Sequence, residues 1–159
     1  MKNKWRDSSL TRFCPNDADM KIARPKRVIN PYEWLPGFGE TRVELRRGEG
    51  LNLNLDVFYE SEGEGDALNK RTIIFKNACS FIFGAAAWRE ITKFVHTDND
   101  TDKKMIGSLI EYEFSEAAKT LQEKLPPGLG PLKHFEIYFM SANESLCVFA
   151  ESCSLAPPE

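Results

Sequence analysis

The histidines and cysteines carry the side chains in this chain best suited to catalysis or metal binding. Their spacing in the sequence does not match any known local site. The two histidines, His96 and His134, lie far apart. A Cys–His or Ser–His pair built from Cys79, Cys147 or a serine would therefore have to form through the tertiary fold. No G-x-S-x-G turn is present and no cysteine lies beside a predicted helix start, so the settings that usually activate these nucleophiles are missing. The sequence identifies no catalytic residue.

Metal binding is not predicted either. The four cysteines form no C-x-x-C pair, and we expect them to be reduced, buried and apolar in character. The one calcium-like run has Asp98, Asp100 and Asp102 at loop positions 1, 3 and 5. However, Lys103 stands where the loop needs glycine, and Leu109 where it needs a bidentate glutamate. We expect a solvated loop there, with no metal and no cofactor.

Polar side chains that could bind a partner alternate with apolar ones through residues 51–60. Because successive side chains of a strand point to opposite faces, this run predicts an antiparallel strand with one buried and one polar face. If no helix covers the polar face, its acidic and amide groups could meet a basic partner. The predicted contact residues are Asn54, Asp56, Glu60, Glu62 and Glu64. The simpler alternative is a plain solvated sheet face.

A pocket between sheet and helix is the competing site. Its predicted lining is Trp88, Tyr112 and Tyr138. A histidine and a carboxylate within hydrogen-bonding distance in that pocket would favour a small-molecule binder or hydrolase.

The elements that must position these groups are mostly strands. Residues 42–47, 71–78 and 105–114 have strand-like composition, and residues 80–83 could continue the second of these after a break. Ser115 predicts the start of a short helix that ends before Pro126. Residues 85–95 fit helix or strand. Residues 1–40 are punctuated by prolines and predict an irregular arm packed on the sheet.

A hairpin is predicted at the C-terminal end, with strands at 133–140 and 145–153. Phe135, Ile137 and Phe139 share one face of the first strand, while His134, Glu136, Tyr138 and Met140 share the other. The fold class that results is α+β, mainly antiparallel β, a sheet or small sandwich with one or two short helices in a single domain spanning 1–159.

Composition narrows the classes of function. The chain has 159 residues, is 42% hydrophobic and carries a formal net charge of −3. Nucleic acid is an improbable main partner of a mildly acidic protein, although residues 21–27 hold four Lys or Arg. No apolar run approaches the roughly 20 residues of a membrane span, and no signal-peptide pattern follows the charged N-terminus. We expect a cytoplasmic protein without a membrane partner.

The C-terminal segments 133–139 and 146–151 also carry a family resemblance. This hairpin resembles the closing hairpin of small uncharacterised bacterial proteins, some of which resemble the immunity proteins of polymorphic toxins. The resemblance implies a non-enzymatic protein that binds and neutralises a toxin. The acidic surface predicted from residues 51–60 would speed the association of such a protein with a basic partner. It carries no functional residue over. A structural subunit of a larger assembly remains a third reading.

Overall fold

Two β-sheets pack face to face in a computed structural model that describes residues 20–61, 67–85, 94–96 and 107–158. The first has six strands in the order β5-β9-β8-β7-β1-β6, and the second has four in the order β10-β4-β3-β2. All pairings are antiparallel except that of β1 with β6. The strands are β1 (Met20–Ile29), β2 (Arg42–Arg47), β3 (Leu53–Glu60), β4 (Leu68–Lys76), β5 (Ser80–Ala85), β6 (Phe94–His96), β7 (Leu109–Ser115), β8 (Lys133–Phe139), β9 (Glu144–Ala150) and β10 (Ser152–Leu155).

The core lies between the two sheets and is built by the predicted alternation. Leu53, Leu55 and Val57 of β3 are buried there. Phe135, Ile137 and Phe139 of β8 meet them from the six-stranded sheet. The rings of Phe75 and Phe135, one from each sheet, have centroids 5.8 Å apart. The predicted fold class is therefore confirmed, and its sandwich form is the one adopted.

The single α-helix of the described chain, α1 (Glu116–Lys124), begins and ends where the sequence predicts. Ser115 is its N-cap, with Oγ accepting a hydrogen bond from the Ala118 amide at 3.2 Å. The helix stops before Pro126, which cannot continue it. Its contacts are with β1 and β8, so it covers part of the outer face of the six-stranded sheet. A short 3₁₀ turn spans Pro31–Glu33. No described helix has the length and apolarity that a bilayer crossing requires.

The prediction of an irregular arm over residues 1–40 is wrong for residues 20–29, because β1 is a ten-residue strand paired with β7. Residues 30–40 are irregular apart from the 3₁₀ turn. Pro25 lies within β1. Since β6 pairs only with Met20–Ile22, Pro25 falls where the other edge of β1 has no described partner strand. A missing N–H is tolerated at such an edge.

Two other segments that the sequence treats as continuous strands are divided between the two sheets. β5 does not continue β4; it pairs with β9 at the edge of the other sheet. The predicted strand 145–153 is split at Glu151, and β10 crosses to pair with β4. Leu51, predicted to be buried, precedes β3 and is 60% exposed. Periodicity within one segment cannot show these changes, because they depend on which strand lies alongside. Most of the ambiguous segment 85–95 and the calcium-like run 98–102 lie outside the described residues.

Candidate functional site

The polar face predicted on β3 is the outer face of the four-stranded sheet. Asn54, Asp56 and Glu60 share this face, opposite the buried Leu53, Leu55 and Val57. Helix α1 packs on the other sheet. The polar face is therefore not covered by α1, which was the condition for its use as a binding surface.

Asp56 departs from that prediction because its side chain is already engaged. The residue is only 4% exposed. Its carboxylate forms an ion pair with Arg46 and accepts a hydrogen bond from the Thr72 hydroxyl at 2.6 Å. Burial alone would raise the pKa of this carboxyl, but the hydrogen bonds from Arg46 and Thr72 outweigh it and hold the pKa below its ordinary value. Asp56 thus organises the face and is not free to contact a partner.

The face is mixed in charge, not acidic. Register places Arg42 beside Phe58 and Phe58 beside Lys70 across three strands. The Arg42 guanidinium stacks on the Phe58 ring with its carbon 4.2 Å from the centroid, and it also pairs with Glu44 at 3.3 Å.

The remaining predicted contact residues differ in their accessibility. Asn54 is half-buried, and its Oδ1 has no hydrogen-bond partner among the described residues. Glu60 is exposed. Glu62 and Glu64 lie outside the described residues. Contact of Asn54 or Glu60 with a partner stays a prediction.

Of the three predicted pocket residues, Tyr112 and Tyr138 lie in the described chain, and only Tyr112 lines the cleft beside α1. Tyr112 is buried and lines a cleft of about 490 Å³ between α1, β7 and the segment before β8. Tyr138 is at a distance from this cleft, where its hydroxyl donates to Asn143 Oδ1 at 3.3 Å. Trp88 lies outside the described residues. Ser115 and His134 line the cleft together with Tyr112.

A sealed polar cluster lies beneath this cleft, on the outer face of the six-stranded sheet. His134 Nε2 is 3.1 Å from Glu136 Oε1 and 3.2 Å from Cys147 Sγ. The exposed fractions of the three residues are 0%, 6% and 0% in that order. The strands account for the arrangement, since His134 and Glu136 are two apart on β8 and Cys147 lies directly opposite Glu136 on β9.

Two further hydroxyls orient the cluster from outside. Ser115 Oγ is 3.0 Å from His134 Nδ1, and the Tyr112 hydroxyl donates to Glu136 Oε2 at 3.1 Å. The imidazole is flanked by the rings of Tyr112 and Phe149, with centroids 5.0 and 4.7 Å away. Each cluster side chain is therefore held in one orientation by packing and hydrogen bonds.

The order Ser115–His134–Glu136 has the connectivity of a hydrolase relay, in which a base activates a hydroxyl and a carboxylate orients the base. Two observations oppose that use. Ser115 Oγ also caps α1, so attack on a substrate would require the cap to break. His134 has no exposed surface from which to protonate a leaving group. The geometry therefore favours a role for these side chains in binding over a role for Ser115 as a nucleophile.

Sequence reasoning identified parts of this cluster without joining them. It placed His134 and Glu136 on one strand face and gave Ser115 a capping role, and both predictions are confirmed. It missed Cys147 as their neighbour, which requires the register of β8 with β9. The cysteines within the described chain, Cys79, Cys147 and Cys153, form no disulfide; Cys147 is buried as expected, whereas Cys79 and Cys153 are half-buried.

Comparison with known proteins adds no relative: no protein-family model, no curated protein and no solved structure matches this chain.

Proposed function

We propose that the protein is a non-enzymatic protein-binding domain whose binding surface is the outer face of the four-stranded sheet. One observation carries the proposal. Helix α1 packs on β1 and β8 of the six-stranded sheet, so it does not cover the outer face of β2, β3 and β4. That face combines charged and apolar side chains.

The side chains on this face suit recognition of a protein surface. Arginine and aromatic residues are enriched in the energetically dominant parts of interfaces, and here Arg42 stacks on Phe58. Arg46 is held by Asp56, which Thr72 holds in turn. Side chains already ordered in the free protein lose less conformational entropy on binding. The face is therefore preorganised.

Another protein is the proposed partner, and the resemblance of the C-terminal hairpin favours a toxin that this chain neutralises. Support for a basic partner is weaker than the sequence suggested, because Arg42, Arg46 and Lys70 lie among the carboxylates of the face. A partner with a mixed or apolar complementary surface fits better.

The test compares a charge reversal on the face with one on the other sheet. The partner is captured with the tagged chain from the source organism, identified by mass spectrometry, purified and titrated calorimetrically. We expect Arg42→Glu to weaken the affinity at least tenfold, because it reverses one charge and removes the stacking on Phe58. Lys26→Glu, at an exposed position of β1, should leave the affinity unchanged. Equal binding by both variants would show that the partner uses another surface.

A small-ligand function is the second candidate, favoured by the cleft that Tyr112 and His134 line. Ligand-observed NMR with a fragment library would test it. Hits lost in Leu132→Trp, which fills the cleft, and kept in Leu51→Trp, at an exposed site in the turn before β3, would support it. Hits that bind both variants equally would place the ligand elsewhere.

A further inference from the structure

The sealed cluster brings three different metal-ligating atoms together. His134 Nε2, a carboxylate oxygen of Glu136 and Cys147 Sγ all lie within 4.8 Å of one another. This group of His, Cys and carboxylate side chains lies in the interior of the described part of the chain. We propose that His134, Glu136 and Cys147 bind a zinc ion.

Two of the three separations between the ligand atoms are close to those around a tetrahedral ion, and the third is no more than 4.8 Å. With Zn–N, Zn–O and Zn–S bonds of ordinary length, tetrahedral geometry separates ligand atoms by about 3.3–3.6 Å. The histidine nitrogen is 3.1 Å from the carboxylate oxygen and 3.2 Å from the sulfur. Binding of the ion would therefore require the nitrogen to move a few tenths of an ångström away from the oxygen and the sulfur.

Hydrogen bonds from Ser115 and Tyr112 hold the His134 and Glu136 side chains in orientations that suit metal binding. Ser115 Oγ lies at His134 Nδ1 and the Tyr112 hydroxyl donates to Glu136 Oε2, so both outward atoms of the ligand side chains have partners. This leaves Nε2 facing the Cys147 sulfur and Oε1 facing Nε2. Metal-binding histidines and carboxylates usually have such outer partners, which fix the ring tautomer and strengthen the ligand. Ser115 Oγ can accept from Nδ1–H as well as from the Ala118 amide, because it has two lone pairs.

Ligand type selects zinc over harder cations. One nitrogen, one carboxylate oxygen and one thiolate suit zinc, whereas calcium and magnesium require oxygen ligands. Binding replaces two protons with the ion, the one on Cys147 sulfur and the one in the hydrogen bond between His134 Nε2 and Glu136 Oε1, and both pass to the solvent. Three protein ligands leave a fourth position for water or a further ligand. This inference is independent of partner binding, which uses the opposite sheet.

Cobalt spectroscopy of the purified full-length protein is the first test. Co²⁺ reports a tetrahedral thiolate site through a thiolate-to-metal charge-transfer band and strong visible bands. We expect both to saturate at one equivalent and to disappear when one equivalent of Zn²⁺ is added. Cys147→Ser should abolish the charge-transfer band. Cys153→Ser should retain it, because Cys153 lies on β10 in the other sheet.

Glu136→Gln provides a gentler variant, since it keeps a side chain that can bond to Tyr112 and loses only the anionic ligand. We expect it to weaken zinc binding at least tenfold. Absence of the charge-transfer band in the wild-type protein, or its persistence in Cys147→Ser, would overturn the proposal.

A measurement on the wild-type chain covers the case in which the buried variants do not fold. Long-range ¹H–¹⁵N spectra resolve the ring nitrogens of the two histidines, and His96→Gln assigns them. Zinc should shift His134 Nε2 and preserve a proton on Nδ1. Unchanged His134 resonances after zinc addition would mean that hydrogen bonds alone hold the cluster together.

Discussion

At the scale of single residues, Asp56 shows how a neighbour can change the role of a polar side chain. Alternation along β3 predicts an exposed acidic group, but Arg46 on β2 and Thr72 on β4 enclose the carboxylate. Because both partners come from adjacent strands, neighbouring side chains on the outer face of the sheet help to bury this charge. The carboxylate consequently contributes to stability.

Replacing this carboxylate should lower the stability of the protein by an amount that depends on pH. We expect Asp56→Asn to lower the free energy of unfolding at pH 7 by about 1–3 kcal/mol, the usual range when a buried hydrogen-bonding group loses its partner. The folded-state pKa of Asp56 is lowered, so its stabilisation is present above the unfolded value of about 3.9 and is lost as the pH falls through the lowered pKa. Urea titrations from pH 7 to pH 3 would show the two proteins converging. Glu60→Gln, at an exposed site, should change stability by no more than about 0.5 kcal/mol, and a constant Asp56→Asn difference at every pH would contradict the argument.

At the scale of elements, Ser115 joins a strand, a helix and the sealed cluster. It is the last residue of β7 and the N-cap of α1, and its Oγ also contacts His134 Nδ1. The hydroxyl fixes the point at which extended backbone becomes helical and thereby sets how α1 sits beside the cleft. The loss of one oxygen affects both the helix and the imidazole.

We expect Ser115→Ala to lower the free energy of unfolding by about 1–3 kcal/mol, because the cap alone accounts for about 0.5–2 kcal/mol and the imidazole loses a buried partner. Ser115→Thr retains the hydroxyl and should recover most of that loss. Guanidinium unfolding followed by circular dichroism measures both, with Ser154→Ala as an exposed control on β10. If the alanine and threonine variants were equally unstable, side-chain volume and not the hydroxyl would be responsible.

At the scale of the whole molecule, the two sheets depend on one shared core. Phe75 and Phe135 contact each other across the sandwich, and the same cluster contains residues of β3, β4, β8 and β9. Neither sheet can bury its inner face without the other. We therefore expect both to unfold together.

Truncation of Phe135, which is 1% exposed, tests that dependence. Phe135→Ala should lower the free energy of unfolding by about 3–5 kcal/mol while leaving a single transition, seen at the same denaturant concentration by near- and far-ultraviolet circular dichroism. Leu51→Ala, at a residue that is 60% exposed, should remain within about 0.5 kcal/mol of the parent protein. Two separated transitions in the parent would show that the sheets are independently stable.

Local patterns were sufficient for the properties that depend on one segment at a time. The period-2 alternation in β3 and β8 assigns each side chain to a face, since the pleat reverses direction at every residue. The cap at Ser115 and the stop at Pro126 similarly depend only on backbone groups within one turn. The antiparallel class, the single described α-helix and the shared face of His134 and Glu136 followed from these patterns.

Pairing between distant segments was decided only by the tertiary structure. The sequence does not show that β10 leaves β9 for the other sheet, that β1 is a strand despite Pro25, or that Arg46 neutralises Asp56. The cluster of His134, Glu136 and Cys147 has the same origin, because Cys147 reaches its neighbours through the register of β8 with β9. Side-chain direction is a local property of the backbone, whereas the choice of neighbouring strand depends on burying the apolar faces of the whole chain at once.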